Sequence, residues 1–302
     1  MQIRSCLTGL ALGCLATAVV VAAPPQAPAG GTPAESPKQS IIRFFGFQGT
    51  REERSVATQN DDYVQHNPRF LRMDDITGAK GRRAWVAASE EGQRRNIVLV
   101  ALNGIRLANP IILIGEGDLV HAVYRGNVAD PKTPGQTYEA FAFETFRMRD
   151  GKFSEHWDQV RLEPGWMMPR PAAPPAPVLS NALPAPRAAA PAPPLPAPGC
   201  SASAAMLAAN KQVVDRYLAG TAGRAATLAT DFVDRSPRLD DPPPPPGRVR
   251  DHVVAECDYV SVVWKQVLPD PDDAARRWEW FTFDAFRLKD GRIVEHWDHD
   301  LR

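Results

Sequence analysis

The sequence predicts an α+β fold carried twice, on three observations. Residues 147–158 read RMRDGKFSEHWD and residues 287–298 read RLKDGRIVEHWD. From 138 to 158, eleven of twenty-one positions recur 140 residues later, too many for coincidence. Each copy opens on a helical pattern and continues as a run of strands separated by turn residues, the order expected of α+β domains.

The elements follow in order. Met1 to Arg4 gives a short positive start, and Cys6 to Ala23 is almost wholly apolar before proline-rich coil. That is the pattern of an export signal, residues 1–23, rather than of a retained membrane span. Leu12-Gly13-Cys14 loosely matches a lipid-attachment box, so lipoprotein anchoring at Cys14 is a second option. We expect an exported protein, periplasmic or secreted, with no transmembrane segment once the signal is removed. A Pro/Ala-rich leader spans 24–37.

The first copy spans 38–163. Ile41, Ile42, Phe44 and Phe45 make its opening apolar stripe. A helix is expected around 79–94, with strands at 97–102, 110–115, 119–126, 138–148 and 152–161. Thirteen prolines between Pro164 and Pro198 define a linker, 164–202, that cannot bury a core. The second copy spans 203–302 and opens at Asn210–Leu218. Between the proline of its first motif and the repeated acid it has 21 residues (Pro237 to Asp258), against 50 in the first copy (Pro68 to Asp118). This truncation should leave its pocket open and its acids ordinary.

Thirty-five basic and thirty-five acidic residues cancel, which argues against a nucleic-acid partner. No glycine-rich phosphate loop, nucleophile elbow or zinc spacing occurs, and no cofactor is expected. Export permits a disulfide between Cys200 and Cys257, though two cysteines alone do not demand one.

The hairpin turns Arg149-Asp150-Gly151 and Lys289-Asp290-Gly291 leave two loop lengths open. A three-residue loop sorts the residues best. It opposes Glu144 to His156, Ala142 to Asp158 and Phe143 to Trp157. One face then carries Ala142, Glu144, Phe146, His156 and Asp158, and the other an aromatic slab of Phe141, Phe143, Phe153 and Trp157. The second copy sorts Asp284, His296 and Asp298 against Phe281, Phe283, Ile293 and Trp297. Two carboxylates beside an imidazole in a desolvated cavity suit proton transfer near neutral pH. The plainer alternative is a wet polar face with Asp158 capping a strand end. A metal at His156-x-Asp158 is not expected, because the spacing supplies no third ligand.

Tyr63-Val64-Gln65-His66-Asn67-Pro68, Glu116-Gly117-Asp118-Leu119-Val120 and Phe146-Arg147 through Glu155-His156-Trp157-Asp158 together resemble SnoaL-like proteins of the nuclear-transport-factor-2-like superfamily. The resemblance covers nearly all of the first copy and the C-terminal half of the second. It implies a cone: a curved antiparallel sheet wrapped on N-terminal helices around a small-molecule pocket. It also implies cofactor-free aldol, cyclase or isomerase chemistry. Asp158 is then the acid/base, Glu144 and His66 share its pocket, and Asn67, His156 and Phe146 bind ligand. Glu144 stands where the cyclases look more like histidine. Asp298, Asp284 and His296 form a degenerate second set, with Arg235 in place of His66. The ligand would be an apolar or carbonyl-containing small molecule. The alternative is a non-catalytic periplasmic binding or interaction module. Cones of this family commonly pair through their sheets, and a 39-residue tether spans roughly 30 Å as relaxed coil. An intrachain pseudo-dimer, slab against slab, is therefore expected.

Overall fold

In a computed structural model, the structure describes residues 36–67, 81–83, 85–86, 110–130, 132–158, 200–237, 247–270 and 273–299. The expected signal, most of the linker, the strand at 97–102 and most of the helix at 79–94 lie outside the described residues.

The first copy begins with α1 (Pro37–Gly46) and α2 (Arg51–Thr58). Ser36 caps α1 by accepting the Gln39 N–H, and Pro37 sits where a missing N–H costs nothing. Thr50 and Glu53 form a reciprocal capping box on α2. Ile41 and Phe44 face the core, whereas Ile42 turns outward and is exposed. Strands β1 (Gln59–Gln65), β2 (Ile112–Glu116), β3 (Leu119–Ala129), β4 (Thr137–Arg149) and β5 (Lys152–Asp158) follow. Their order in the sheet is β1-β5-β4-β3-β2.

The second copy repeats the plan with α3 (Ala204–Leu218), α4 (Thr221–Thr227), β6 (Leu228–Asp234), β7 (Val249–Glu256), β8 (Tyr259–Pro269), β9 (Arg277–Lys289) and β10 (Arg292–Asp298). Its sheet order is β6-β10-β9-β8-β7. Among the described residues, two five-stranded sheets with helices preceding each make the fold α+β, as expected. The sheets are mixed rather than purely antiparallel, because β1 pairs with β5, and β6 with β10, in parallel. Sequence reading assigned no strand to β1, whose QNDDYVQ is too polar to show an alternating pattern.

The hairpin corrects the expected loop. Asp150 and Gly151 both have positive φ, 53° and 72°, and Arg149 pairs with Lys152. This is a two-residue type I′ turn. Alone it would oppose Asp158 to Phe143. A bulge at Ser154 intervenes: Met148 pairs with Phe153, but Arg147 pairs with Glu155. The extra residue shifts the register by one. Glu144 therefore opposes Asp158, Phe146 opposes His156, and Thr145 opposes Trp157. The expected pairs Glu144–His156, Ala142–Asp158 and Phe143–Trp157 do not form, yet the sorting of these residues onto two faces survives. Phe153 lies before the bulge and so points the other way, packing at 5.1 Å from Phe44. The same shift at Val294 takes Ile293 out of the second slab and into the core under α3.

The described residues, from Ser36 to His299, fall within one compact unit. Each copy has its own helix-side core, and a third apolar cluster draws on both sheets. Phe141, Phe143 and Trp157 meet Phe281, Phe283 and Trp297 there. Phe143 and Phe283 stack with centroids 5.8 Å apart. Cys200 and Cys257 are joined by a disulfide, which ties the segment before α3 to the β7–β8 turn across 57 residues.

Candidate functional site

Glu144, His156 and Asp158 come together on the helix side of the first sheet, with their ligand atoms all within 4.8 Å of one another. Glu144 and His156 are buried and Asp158 is half-buried. The His156 ring lies on Phe146, centroids 4.2 Å apart and nearly parallel. Its Nε2 meets Glu144 Oε2 in a short contact. Its Nδ1 faces Tyr63 Oη at 3.0 Å and Gln65 Nε2 at 2.9 Å.

These partners fix the tautomer. Gln65 Oε1 accepts the Asn67 N–H, at 3.2 Å, so the amide turns its NH₂ to His156. Nδ1 then accepts and Nε2 carries the hydrogen that is donated to Glu144. Burial lowers the imidazole to about 4 against the opposing charge of Asp158, so it is neutral at pH 7. Burial also pushes the Glu144 carboxyl well above the usual carboxylate range. Tyr124 stands on the same face, because it pairs with Ala142 while Ala122 pairs with Glu144. Its hydroxyl is wholly buried with no hydrogen-bond partner among the described residues, and burial followed by Glu144 holds its proton on. The site thus offers a carboxyl whose ionisation burial opposes, a phenol and an imidazole N–H turned to that carboxyl, beside Asp158.

Glu144 supplies the third ligand that sequence spacing did not reveal for a metal. A metal on Nε2 would nonetheless require Nδ1 to donate. The Gln65 amide donates to Nδ1 instead, and this geometry favours proton chemistry.

His66 does not join this group. Side chains alternate along a strand, and β1 pairs Gln65 with His156. Gln65 therefore enters the site, and His66 lies on Trp157 on the opposite face, centroids 4.6 Å apart and interplanar angle 2°. There His66 Nε2 meets Glu155 Oε2 at 2.8 Å. Asn67 is buried, and its backbone N–H donates to the Gln65 side chain. Sequence reading missed Gln65, Tyr63 and Tyr124 as site residues. The signal was present, since Tyr63 and Gln65 belong to the quoted motif and Tyr124 recurs as Trp264. A groove of about 280 Å³ lined by Asp62, Arg147, Arg149 and Glu155 shares no residue with the buried trio.

The second copy holds the same positions in the opposite charge state. Asp234 replaces Gln65, and its Oδ1 lies 3.1 Å from His296 Nδ1, while Asp284 Oδ1 lies 3.0 Å from Nε2. Both ring nitrogens donate. Burial opposes the charge, but these two carboxylates outweigh it and raise His296 to about 10. Burial likewise opposes ionisation of Asp284, yet His296, Arg248 and Trp264 hold it well below the usual range. Asp298 accepts the Ser236 hydroxyl at 2.7 Å. The expectation of an open pocket with ordinary acids is overturned: Asp284 and Asp298 are each only 8% exposed, and Arg248 fills the space.

No protein-family model and no curated protein matches the chain. Solved structures do. The chain is similar to TerC co-crystallised with polyporic acid, at 23% identity over 41% of this chain and 90% of that one, TM-score 0.30. It is similar to wild-type IdmH, a candidate polyketide cyclase from Streptomyces antibioticus, at 18% identity over 41% and 91%, TM-score 0.28. It is also similar to a SnoaL-like polyketide cyclase candidate from Jannaschia sp. CCS1, at 18% identity over 43% and 88%, TM-score 0.26. Each of these likenesses spans about two-fifths of this chain.

Proposed function

We propose that this is an exported protein whose first copy performs cofactor-free acid/base chemistry on a carbonyl-containing small molecule, of the aldol, cyclase or isomerase type. The observation that carries the reading is the buried contact of Glu144 with His156, held beside Asp158 on the sheet face that also carries the buried Tyr124 hydroxyl. Asp158 removes a proton from the carbon next to the carbonyl. The charge that develops on the carbonyl oxygen is met by Tyr124 O–H and by the acid proton of Glu144, donors already in place and sheltered from water. Such a base typically contributes about 10²–10⁴-fold. The apolar N-terminal run and the Cys200–Cys257 disulfide, which suits an oxidising compartment, support export. Among the described residues no helix is long and apolar enough to cross a membrane.

A second reading is a module that binds such a ligand without turning it over. It is favoured by the internal hydrogen bonding of His156, which leaves both its nitrogens engaged. The same experiment separates the two. Cyclic and linear 1,3-dicarbonyl compounds are incubated with the protein in D₂O, and exchange at the activated carbon is followed by NMR. The catalytic reading expects exchange that Asp158→Asn abolishes with unfolding unchanged. Binding without exchange supports the second reading and sinks the first.

We infer further that the second copy serves the first as an intrachain pseudo-dimer. The apolar cluster drawn from both sheets supports this, as does the ion-paired state of the second site. The chain should run as a monomer on a sizing column, and a chain ending before residue 203 should self-associate.

A further inference from the structure

Arg248 precedes β7 by one residue, and its guanidinium enters the acid site of the second copy. Its Cζ lies 4.0 Å over the Trp264 ring. Its Nη2 donates to Asp284 Oδ2, which also accepts the Trp264 indole N–H at 2.5 Å. The other Asp284 oxygen is taken by His296. A planar cation is thus held face-on by an indole and edge-on by a carboxylate, the geometry that favours guanidinium over ammonium.

The charges suit such an occupant. Asp284 is buried and gives one oxygen to His296 and the other to Arg248 and Trp264, while the exposed Asp234 meets the second nitrogen of His296. The first copy differs at the corresponding positions, with Gln65 for Asp234 and Tyr124 for Trp264, and its imidazole is neutral. The truncation of the second copy therefore coincides with a change in the charged groups of the site rather than with their simple loss. Arg248 follows Gly247, whose φ of 80° favours glycine, so the arginine hangs from the end of the strand rather than from its middle.

We propose that the second copy is a guanidinium-binding site occupied by its own Arg248 as a tethered ligand, and that it accepts a free guanidinium or an arginine side chain when Arg248 is withdrawn. This does not depend on the function proposed for the first copy.

The test is chemical rescue in the full chain. Arg248→Gly should lower the melting temperature, and millimolar methylguanidinium should raise it again by several degrees, leaving the wild type unmoved. Ethylammonium, which lacks the planar fork, should restore less. Adding Asp284→Asn should weaken methylguanidinium binding by at least about tenfold, as expected for loss of a charged hydrogen-bond partner. A folded variant that is not rescued, equal shifts in wild type and variant, or rescue that survives Asp284→Asn would each overturn the proposal. If Arg248→Gly does not fold, NMR of the wild-type arginine side chains decides. Slow rotation of the Arg248 guanidinium supports the cage, and rotation as fast as in exposed arginines refutes it.

Discussion

Glu116 and Glu256 exchange partners between the copies. Glu116 Oε2 accepts the Ala255 N–H at 2.8 Å, and Glu256 Oε2 accepts the Gly115 N–H at 2.7 Å. Each also takes a lysine from the other copy's first helix, Lys211 at 2.6 Å and Lys38 at 2.5 Å. The two glutamates lie 140 residues apart in equivalent positions, so the same interaction is made twice, once in each direction between the copies.

Breaking either half should cost stability. Glu116→Ala and Glu256→Ala each leave a backbone N–H without its charged acceptor at a partly exposed place. We expect about 1–2 kcal/mol from each by urea unfolding. Losses below about 0.5 kcal/mol would show that water substitutes for the carboxylate.

His121 should make the protein acid-sensitive. Burial lowers it from 6.5 to about 3. The unfolded chain therefore binds a proton that the native state refuses, and stability falls as pH drops from about 6.5 towards 3. The slope approaches about 1.4 kcal/mol per pH unit from this group alone. His121→Gln should remove this share of the slope in urea titrations between pH 6.5 and 4, leaving that of His156, which burial lowers to about 4.

His296 should do the reverse. Its folded value is raised from 6.5 to about 10, so its contribution is fully present below 6.5 and is lost as pH rises through 10. His296→Gln should remove that alkaline decline while leaving the acid limb, to which His121 and His156 contribute, in place. An unchanged alkaline limb would mean that His296 is not an imidazolium in the native state.

Nitrogen-15 NMR checks the tautomer directly. His156 should show a protonated Nε2 and an unprotonated Nδ1 at pH 7. Gln65→Asp copies the second site's arrangement into the first and should turn His156 into an imidazolium. The variant should also lose the deuterium exchange proposed for the wild type, since a charged imidazole ionises Glu144.

Removing the disulfide is the simplest stability test. Cys257→Ser should cost about 2–4 kcal/mol for a bridge across 57 residues. Wild type in reductant should match the variant.

The repeat, the α+β class and the grouping of Glu144, His156 and Asp158 were legible, because identity at a fixed offset and period-2 alternation are both properties of the sequence. The turn was not. Asp150-Gly151 is compatible with either loop, and the residue pattern favoured three residues only because the bulge at Ser154 produces the same sorting by another route. No residue type marks that bulge, and Phe153 and Ile293 were placed on the wrong face as a result. His66 misled because it sits in a family motif, whereas alternation along a strand that was not recognised brings Gln65 inward instead. Arg248 was hidden by distance. It lies 36 residues from Asp284 in sequence, and only the pairing of β7, β8 and β9 brings them together.

The exchange of partners by Glu116 and Glu256 also bears on how the two halves could drift apart. In a pair made of identical chains, every substitution is suffered by both members. Joined in one polypeptide, the halves are inherited together but altered singly. A carboxylate could replace Gln65's counterpart, and a stretch of 29 residues could be missing, without touching the proton-bearing site of the partner. The latch keeps the altered half attached, and so frees it to specialise.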